Sequence, residues 1–185
     1  MRIIAGKHRG LKLETFEADN IRPTLDRARE GIFNKIQFVI PGAKCLDLFG
    51  GTGAISLEFI SRGAESVITV DNNEKSCNLI KKNFAKANEK ENLIKGDFTA
   101  VCQNLKEKTF DIIFLDPPFA TDYGMQAIKK IVENSLLADS GLIIFEHSTE
   151  RKYIDDGILS GLQLQLVDSK KYGAITVDYI RKAEE

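Results

Sequence analysis

The residues in this 185-residue chain best suited to chemistry are Asp116, Pro117, Pro118 and Phe119, which close the apolar run Phe110–Leu115. Two consecutive prolines fix φ and donate no N–H. What the turn offers is therefore acceptors, the Asp116 carboxylate and the Pro117 carbonyl. Acceptors suit a substrate that presents an exocyclic amine. Such an amine on guanine or adenine is a poor nucleophile, because its lone pair is delocalised into the ring. Acceptors that grip its hydrogens favour the pyramidal nitrogen of the transition state over the flat ground state. Phe119 adds a flat apolar face on which an extruded base can stack. Taken alone, these residues leave guanine and adenine equally open, and Asp116 can also be read as a turn residue ahead of two prolines.

A second group of residues describes a cofactor. Asp47-Leu48-Phe49-Gly50-Gly51-Thr52-Gly53 joins a strand pattern to a helix pattern, the place where parallel α/β sheets bind ligands. The dinucleotide fingerprint G-x-G-x-x-G fails here, because Ser56 stands where its third glycine belongs. A carboxylate ahead of the glycines repels pyrophosphate and suits a cationic or zwitterionic ligand. Asp71, followed by Asn72, ends the next strand pattern and is placed to accept hydrogen bonds from ribose hydroxyls. Asp97 ends a third, beside Phe98. Three strand-end acids meeting an amino acid, a ribose and an adenine describe S-adenosylmethionine (SAM), which also carries a sulfonium. The expected contacts are Asp47, Leu48, Phe49, Gly50, Gly51, Gly53, Asp71, Asn72, Asp97 and Phe98.

The elements that must position these groups are legible in the apolar periodicity. Short β-branched runs at Cys45–Phe49, Ser66–Val70, Asn92–Lys95, Phe110–Leu115 and Gly141–Phe145 alternate with helical stripes. The stripes are Ala54/Ile55/Leu57/Ile60, closed by Gly63, then Cys77/Ile80/Phe84/Ala87, Phe98/Val101/Cys102/Leu105 and Met125/Ile128/Ile131/Val132/Leu136. This alternation predicts an α/β fold with a mainly parallel sheet covered on both faces. Leu162–Val167 and Ile175–Ile180, joined by Ser169–Gly173, leave no room for a helix and must pair antiparallel. Ahead of the alternation, Arg2–Ala5 and Leu11–Glu14 flank Gly6–Gly10 as a β-hairpin with a basic tip. Thr24 then caps a helix with Leu25, Ala28, Ile32 and Ile36 on one stripe.

Composition bounds the function classes. Hydrophobic residues at 43% and charged residues at 29% describe a globular chain. Its longest apolar runs fall far short of the roughly 20 residues of a membrane span, and the N-terminus lacks a signal-peptide pattern. Cys45, Cys77 and Cys102 are widely spaced without a CxxC pair, as expected of buried free thiols in a reducing cytoplasm. His8 and His147 are lone histidines, so no metal is expected. The net charge of −1 conceals a division: residues 1–44 carry nine basic and five acidic side chains, net +4, and residues 45–185 carry 17 and 22, net −5. A basic front fits phosphate contacts, which position an RNA without reading its sequence.

The chain resembles the bacterial family of 16S ribosomal RNA guanine-N2 methyltransferases over nearly all its length. Arg2-Ile3-Ile4-Ala5-Gly6 with Arg9-Gly10 and Leu13 resembles the family's opening, and Arg22-Pro23-Thr24 followed by Arg27, Arg29 and Glu30 its most distinctive signature. The glycine-rich turn with Ser61-Arg62-Gly63-Ala64 fits its SAM region, and Asp116–Phe119 its catalytic motif. One departure is Gly50, where the family often has alanine. The resemblance implies a Rossmann-like class I SAM-dependent methyltransferase fold, with a seven-stranded, mainly parallel sheet and a C-terminal antiparallel hairpin. It implies methyl transfer to N2 of a single guanine, guanine 966, of 16S rRNA in the small subunit or an assembly intermediate. Asp116, Pro117, Pro118 and Phe119 carry over as the target-base site. Residues 1–40 become an RNA-facing extension that uses Arg2, Lys7, His8, Arg9, Arg22, Arg27 and Arg29, and residues 41–185 the SAM-dependent domain. The alternatives are the same chemistry on adenine N6 in DNA or on another rRNA guanine, a non-catalytic RNA-binding module, and an NAD-dependent oxidoreductase.

Overall fold

The computed structural model describes residues 1–16, 23–150 and 156–184, with side chains for all of these except 23–26 and 156. In chain order its elements are α1 (Pro23–Lys35), β1 (Lys44–Asp47), α2 (Ala54–Ser61), β2 (Ser66–Asp71), α3 (Glu74–Lys86), β3 (Leu93–Lys95), α4 (Phe98–Asn104), β4 (Phe110–Leu115), α5 (Tyr123–Glu133), β5 (Leu137–Ser148), α6 (Asp156–Gly161), β6 (Leu164–Tyr172) and β7 (Ile175–Lys182). Among the described residues, seven strands form one sheet in the order β3-β2-β1-β4-β5-β7-β6. β1 to β5 run parallel, and β7 lies antiparallel between β5 and β6. This is the Rossmann-like class I methyltransferase arrangement, with the expected C-terminal hairpin.

Both faces of the sheet are covered, so the central strands are apolar throughout. On one face Leu46, Ile113 and Phe145 pack with Phe98 and Cys102 of α4 and Ile128 and Ile131 of α5. On the other, Cys45, Phe114, Ile144 and Tyr179 pack with Ile32 and Phe33 of α1, Ile36 just beyond it, and Phe59 of α2. All three cysteines are free and buried. Among the described residues no helix is long and apolar enough to cross a membrane, and no group of three metal-binding side chains occurs.

Some boundaries differ from expectation for definite reasons. The first helix starts at Pro23, one residue before its expected cap, and proline is favoured at the first helical position. α2 ends with Gly63 in the left-handed region at φ 94°, its N–H on the Ile60 carbonyl and that of Ala64 on Phe59, a Schellman closure. α5 closes the same way without glycine: Ser135 takes φ 54°, and Leu136 donates to the Ile131 carbonyl. Leu136 therefore continues the apolar stripe from beyond the helix end. β5 begins four residues before Gly141, because Leu137 already pairs with Phe110 across a register shift. The last hairpin turns later than expected, at Gly173 and Ala174.

The N-terminal hairpin is short, with one bridge, Arg2 with Lys12, and three cross-strand backbone bonds, Ile3 N to the Leu11 carbonyl, Gly10 N to that of Ile3 and Leu13 N to that of Met1. Its other backbone donors turn to the end of α2. Glu58, fully buried, accepts from Ile4 N at 2.7 Å and Ala5 N at 3.1 Å, and from Arg62 Nε at 2.7 Å. Ser61 accepts Lys7 N through its carbonyl at 2.8 Å and His8 N through its hydroxyl at 2.9 Å. The approach is so close that a Cβ on Gly6 would lie 1.8 Å from the Ser61 carbonyl oxygen. Ile3 and Leu13 then pack on Leu57 of α2 and Phe84 of α3. Glu58 is thus the clamp of the N-terminal segment. Glu58→Gln, which turns an amide N–H₂ toward donors, is expected to cost about 3 kcal/mol, read as a lowered urea midpoint.

Candidate active site

The glycine-rich turn leaves β1 and enters α2 through a tight set of backbone bonds. Gly50 N donates to the Val70 carbonyl at 2.8 Å and Gly53 N to that of Gly50 at 2.7 Å. Gly51 and Gly53 take φ 55° and 79°, which only glycine adopts freely. Gly51 N donates to Asp71 Oδ2 at 2.8 Å, and Asn73 N to Asp71 Oδ1 at 2.8 Å. Asp71 therefore locks the ends of β1 and β2 together while keeping lone pairs for a ligand.

The turn forms one wall of a cleft of about 650 Å³. Leu48, Phe49, Gly51, Asp71, Asn72 and Phe98 line one part of it, and Asp116, Pro117, Pro118 and Phe119 another. The two sequence-derived groups thus meet in one cavity. The cleft also takes in Phe16, Asn73, Ser76, Gly96 and Tyr123, which were not singled out from sequence. Asn73 is the N-cap of α3, accepting from Lys75 N and Ser76 N. Rings run along the wall, Phe49 5.3 Å from Phe98 and Phe98 5.5 Å from Tyr123, an apolar surface suited to a flat heterocycle.

Gly50 and Gly53 are buried beneath the turn and do not line the cleft. Asp47 is buried under it too: Ser56 donates to its Oδ2 at 2.7 Å, and Thr69 donates to the Ser56 hydroxyl at 2.7 Å. Asp47 Oδ1 has no hydrogen-bond partner among the described residues. Burial raises this carboxyl to about 6 against the Ser56 hydrogen bond, which lowers it. Asp97 departs further from expectation. Its carboxylate caps α4, accepting from the Thr99 hydroxyl and from Thr99 N at 2.9 Å, and those bonds hold it below the ordinary range. Gly96 and Phe98, on either side of it, line the cleft in its place.

Asp116 is exposed toward the cleft, with protein packed behind its carboxyl. That packing, with the charge of Asp47, pushes its carboxyl up to about 7. Its own charge acts in turn on Glu146 of β5, a residue not singled out from sequence, whose carboxyl burial and Asp116 hold well above the usual range.

Of the basic residues, Arg2, Lys7, Arg9 and Arg27 are exposed. His8 and Lys7 both contact Glu89 at 2.6 Å. Arg29 is corrected: at 6% exposure it donates to the Arg2 carbonyl at 2.8 Å, so it fastens α1 to the N-terminal segment instead of facing a phosphate. Arg22 lies outside the described residues.

Over residues 1–181 the chain matches the family described as conserved hypothetical protein 95. It belongs to that family. Similar proteins include ribosomal RNA small subunit methyltransferase D of Haemophilus influenzae, 34% identical over 158 residues, covering 83% of this chain and 82% of the relative. The protein of the same name from Escherichia coli K12 is 36% identical over 156 residues, covering 81% and 76%. The solved structure of Escherichia coli yhhF superimposes with a TM-score of 0.83 at 29% identity, covering 100% of this chain and 99% of that one.

The departure at Gly50 has a local cause. A Cβ there would lie 2.5 Å from Thr69 Cγ2 and 3.0 Å from Ile80 Cδ1, so an added methyl group would require these side chains to shift. Gly50→Ala is expected to cost about 1–3 kcal/mol by overpacking in urea unfolding. Adding Thr69→Ser, which removes that methyl and keeps the hydroxyl, is expected to recover most of the loss.

Proposed function

We propose that this chain transfers a methyl group from SAM to the exocyclic N2 of a guanine in 16S rRNA, in the small ribosomal subunit or an assembly intermediate, with guanine 966 as the target the resemblance names. The supporting observation is that the acceptor pair Asp116 and Pro117 shares one cleft with the glycine-rich turn and Asp71. The relatives named ribosomal RNA small subunit methyltransferase D point to the same class of substrate.

The cleft fits the cofactor on its own chemistry. Asp71 retains acceptor capacity for ribose hydroxyls, and the ladder of Phe49, Phe98 and Tyr123 offers stacking for adenine. When bound, SAM supplies an electrophilic methyl group on a sulfonium. Asp116 and the Pro117 carbonyl accept the hydrogens of the guanine amine, drawing its nitrogen out of the ring plane so that the lone pair points across the cleft. Phe119, 37% exposed at the rim, stacks on the base. A methylated amine must shed a proton, and Asp116 is the base in reach.

Residues 1–40 act as the RNA-facing extension in a cytoplasmic enzyme, through Arg2, Lys7, Arg9 and Arg27, with Arg22 the remaining candidate. Phe16 carries this segment into the cleft itself, which ties RNA docking to the base site. Tritiated methyl transfer to small subunits, free 16S rRNA and DNA, followed by mass spectrometry of the nucleosides, tests the proposal. N2-methylguanosine in rRNA is expected, and label found only as N6-methyladenine in DNA would falsify it. Asp116→Asn is expected to lower kcat about 100-fold or more. Because Asp116 must be ionised to accept hydrogens and its carboxyl is raised to about 7, the rate is expected to be level above that pH. Below it, the rate falls about tenfold per unit; a profile flat from pH 5.5 to 8.5 removes Asp116 from this role.

A further inference from the structure

Glu146 stands outside every role assigned so far. It is 7% exposed, and its carboxyl has no hydrogen-bond or ion-pair partner among the described residues. Its oxygens are not among the fully buried atoms without a partner, so they keep a trace of exposure through which a donor can reach them. Its place is fixed by strand register. Leu115 pairs with Phe145, so Asp116 and Glu146 follow side by side on adjacent parallel strands. Side chains alternate along strands. Leu115 and Phe145 belong to the core under α4 and α5, whereas Phe114 and Ile144 belong to the core under α1. Asp116 and Glu146 therefore share the α1 face, at the end of the sheet where the cleft opens. On its other side β7 sets Val177 opposite Glu146; Asp178 next to it is taken up by His147 on the other face, and Tyr179 is the titratable group of β7 that acts on Glu146, so no cation is supplied from there.

Two neighbouring acceptors on one face match a particular base edge. The Watson–Crick edge of guanine presents N2–H₂ and N1–H, two adjacent donors, whereas adenine has a bare N1 lone pair beside its amine. We propose that Glu146 is the guanine-selecting residue, a carboxyl oxygen of its side chain accepting N1–H while Asp116 holds the N2 amine. This inference rests on the proposed guanine N2 reaction and adds what selects the base. The pair would also explain the orphaned carboxyl: the incoming base supplies the missing donor, and an adenine at the same place sets a lone pair against it.

The analogue 2,6-diaminopurine separates recognition from reactivity, because it keeps the N2 amine but lacks N1–H. Small subunits are reconstituted with 16S rRNA carrying guanine or diaminopurine at the target position, and kcat/KM is measured at pH 8.5. Wild type is expected to prefer guanine by about 10–100-fold, the usual worth of a good base contact. Glu146→Gln, whose amide can accept or donate, is expected to bring that preference within about threefold while SAM binding by calorimetry stays unchanged. A role confined to structure would lower both substrates together and leave the ratio intact, which overturns the assignment. Equal use of both bases by wild type overturns it as well, whatever the variant does. If guanine subunits too remain unlabelled, the proposed reaction itself fails; labelled guanine with no discrimination removes Glu146 alone.

Discussion

β2 and β3 lie on one side of β1, and β4 and β5 on the other, so the chain leaving β1 and the chain leaving β4 must diverge. The first turns into α2 on one face of the sheet, and the second reaches α5 on the opposite face. Between them the edge of the sheet is left uncovered, and that gap is the cleft. The β1–β4 pair holds it at a fixed height through Cys45 with Ile112 and Asp47 with Phe114. A slip of one residue in that pairing would turn Asp116 to the other face. The parallel pairing at the centre of the sheet is thus the constraint on which the glycine-rich turn, the Asp116–Phe119 edge and the acid cluster all depend.

Much of this was legible in the sequence because its cause is local. Strands such as Phe110–Leu115 announce themselves as β-branched runs, and a turn needing positive φ announces itself in Gly51, Gly53 and Gly63. Local signals failed where tertiary contact chose between equal options. Ser135 takes a left-handed conformation that no glycine announces. The N-terminal hairpin, correctly placed in sequence, stays short, and Glu58 takes the Ile4 and Ala5 donors. Asp97 fits a ligand and a helix cap equally well on paper, and the hydroxyl of Thr99, two residues on, decides for the cap. Glu146 was invisible for a further reason. In Phe145-Glu146-His147 it reads as an ordinary charged residue, and only register across the sheet brings it beside Asp116.

The opposite charges of front and body acquire a structural meaning here. The basic segment is no free-standing module, since Glu58 and Ser61 near the end of α2 hold its backbone and Arg29 holds it from α1. α2 is capped by Gly53 of the glycine-rich turn and carries the clamp Glu58 in its last turn, ending at Ser61. One eight-residue helix therefore fixes the distance between the groups proposed for SAM and those proposed for RNA. That rigid link replaces what a linker between separate domains would leave variable.

The carboxyls of Asp47, Asp116 and Glu146 all bind their protons more tightly in the folded chain than the usual carboxylate value of about 4. For such groups the linkage runs opposite to that of ordinary paired acids. Their favourable contribution to folding is complete below about pH 4 and is lost as pH rises through about 6 for Asp47 and about 7 for Asp116. At neutral pH the fold therefore carries these acids as a burden, sustained by packing elsewhere in the sheet. The fold is under greatest electrostatic stress under the same conditions in which Asp116 is ionised and able to accept.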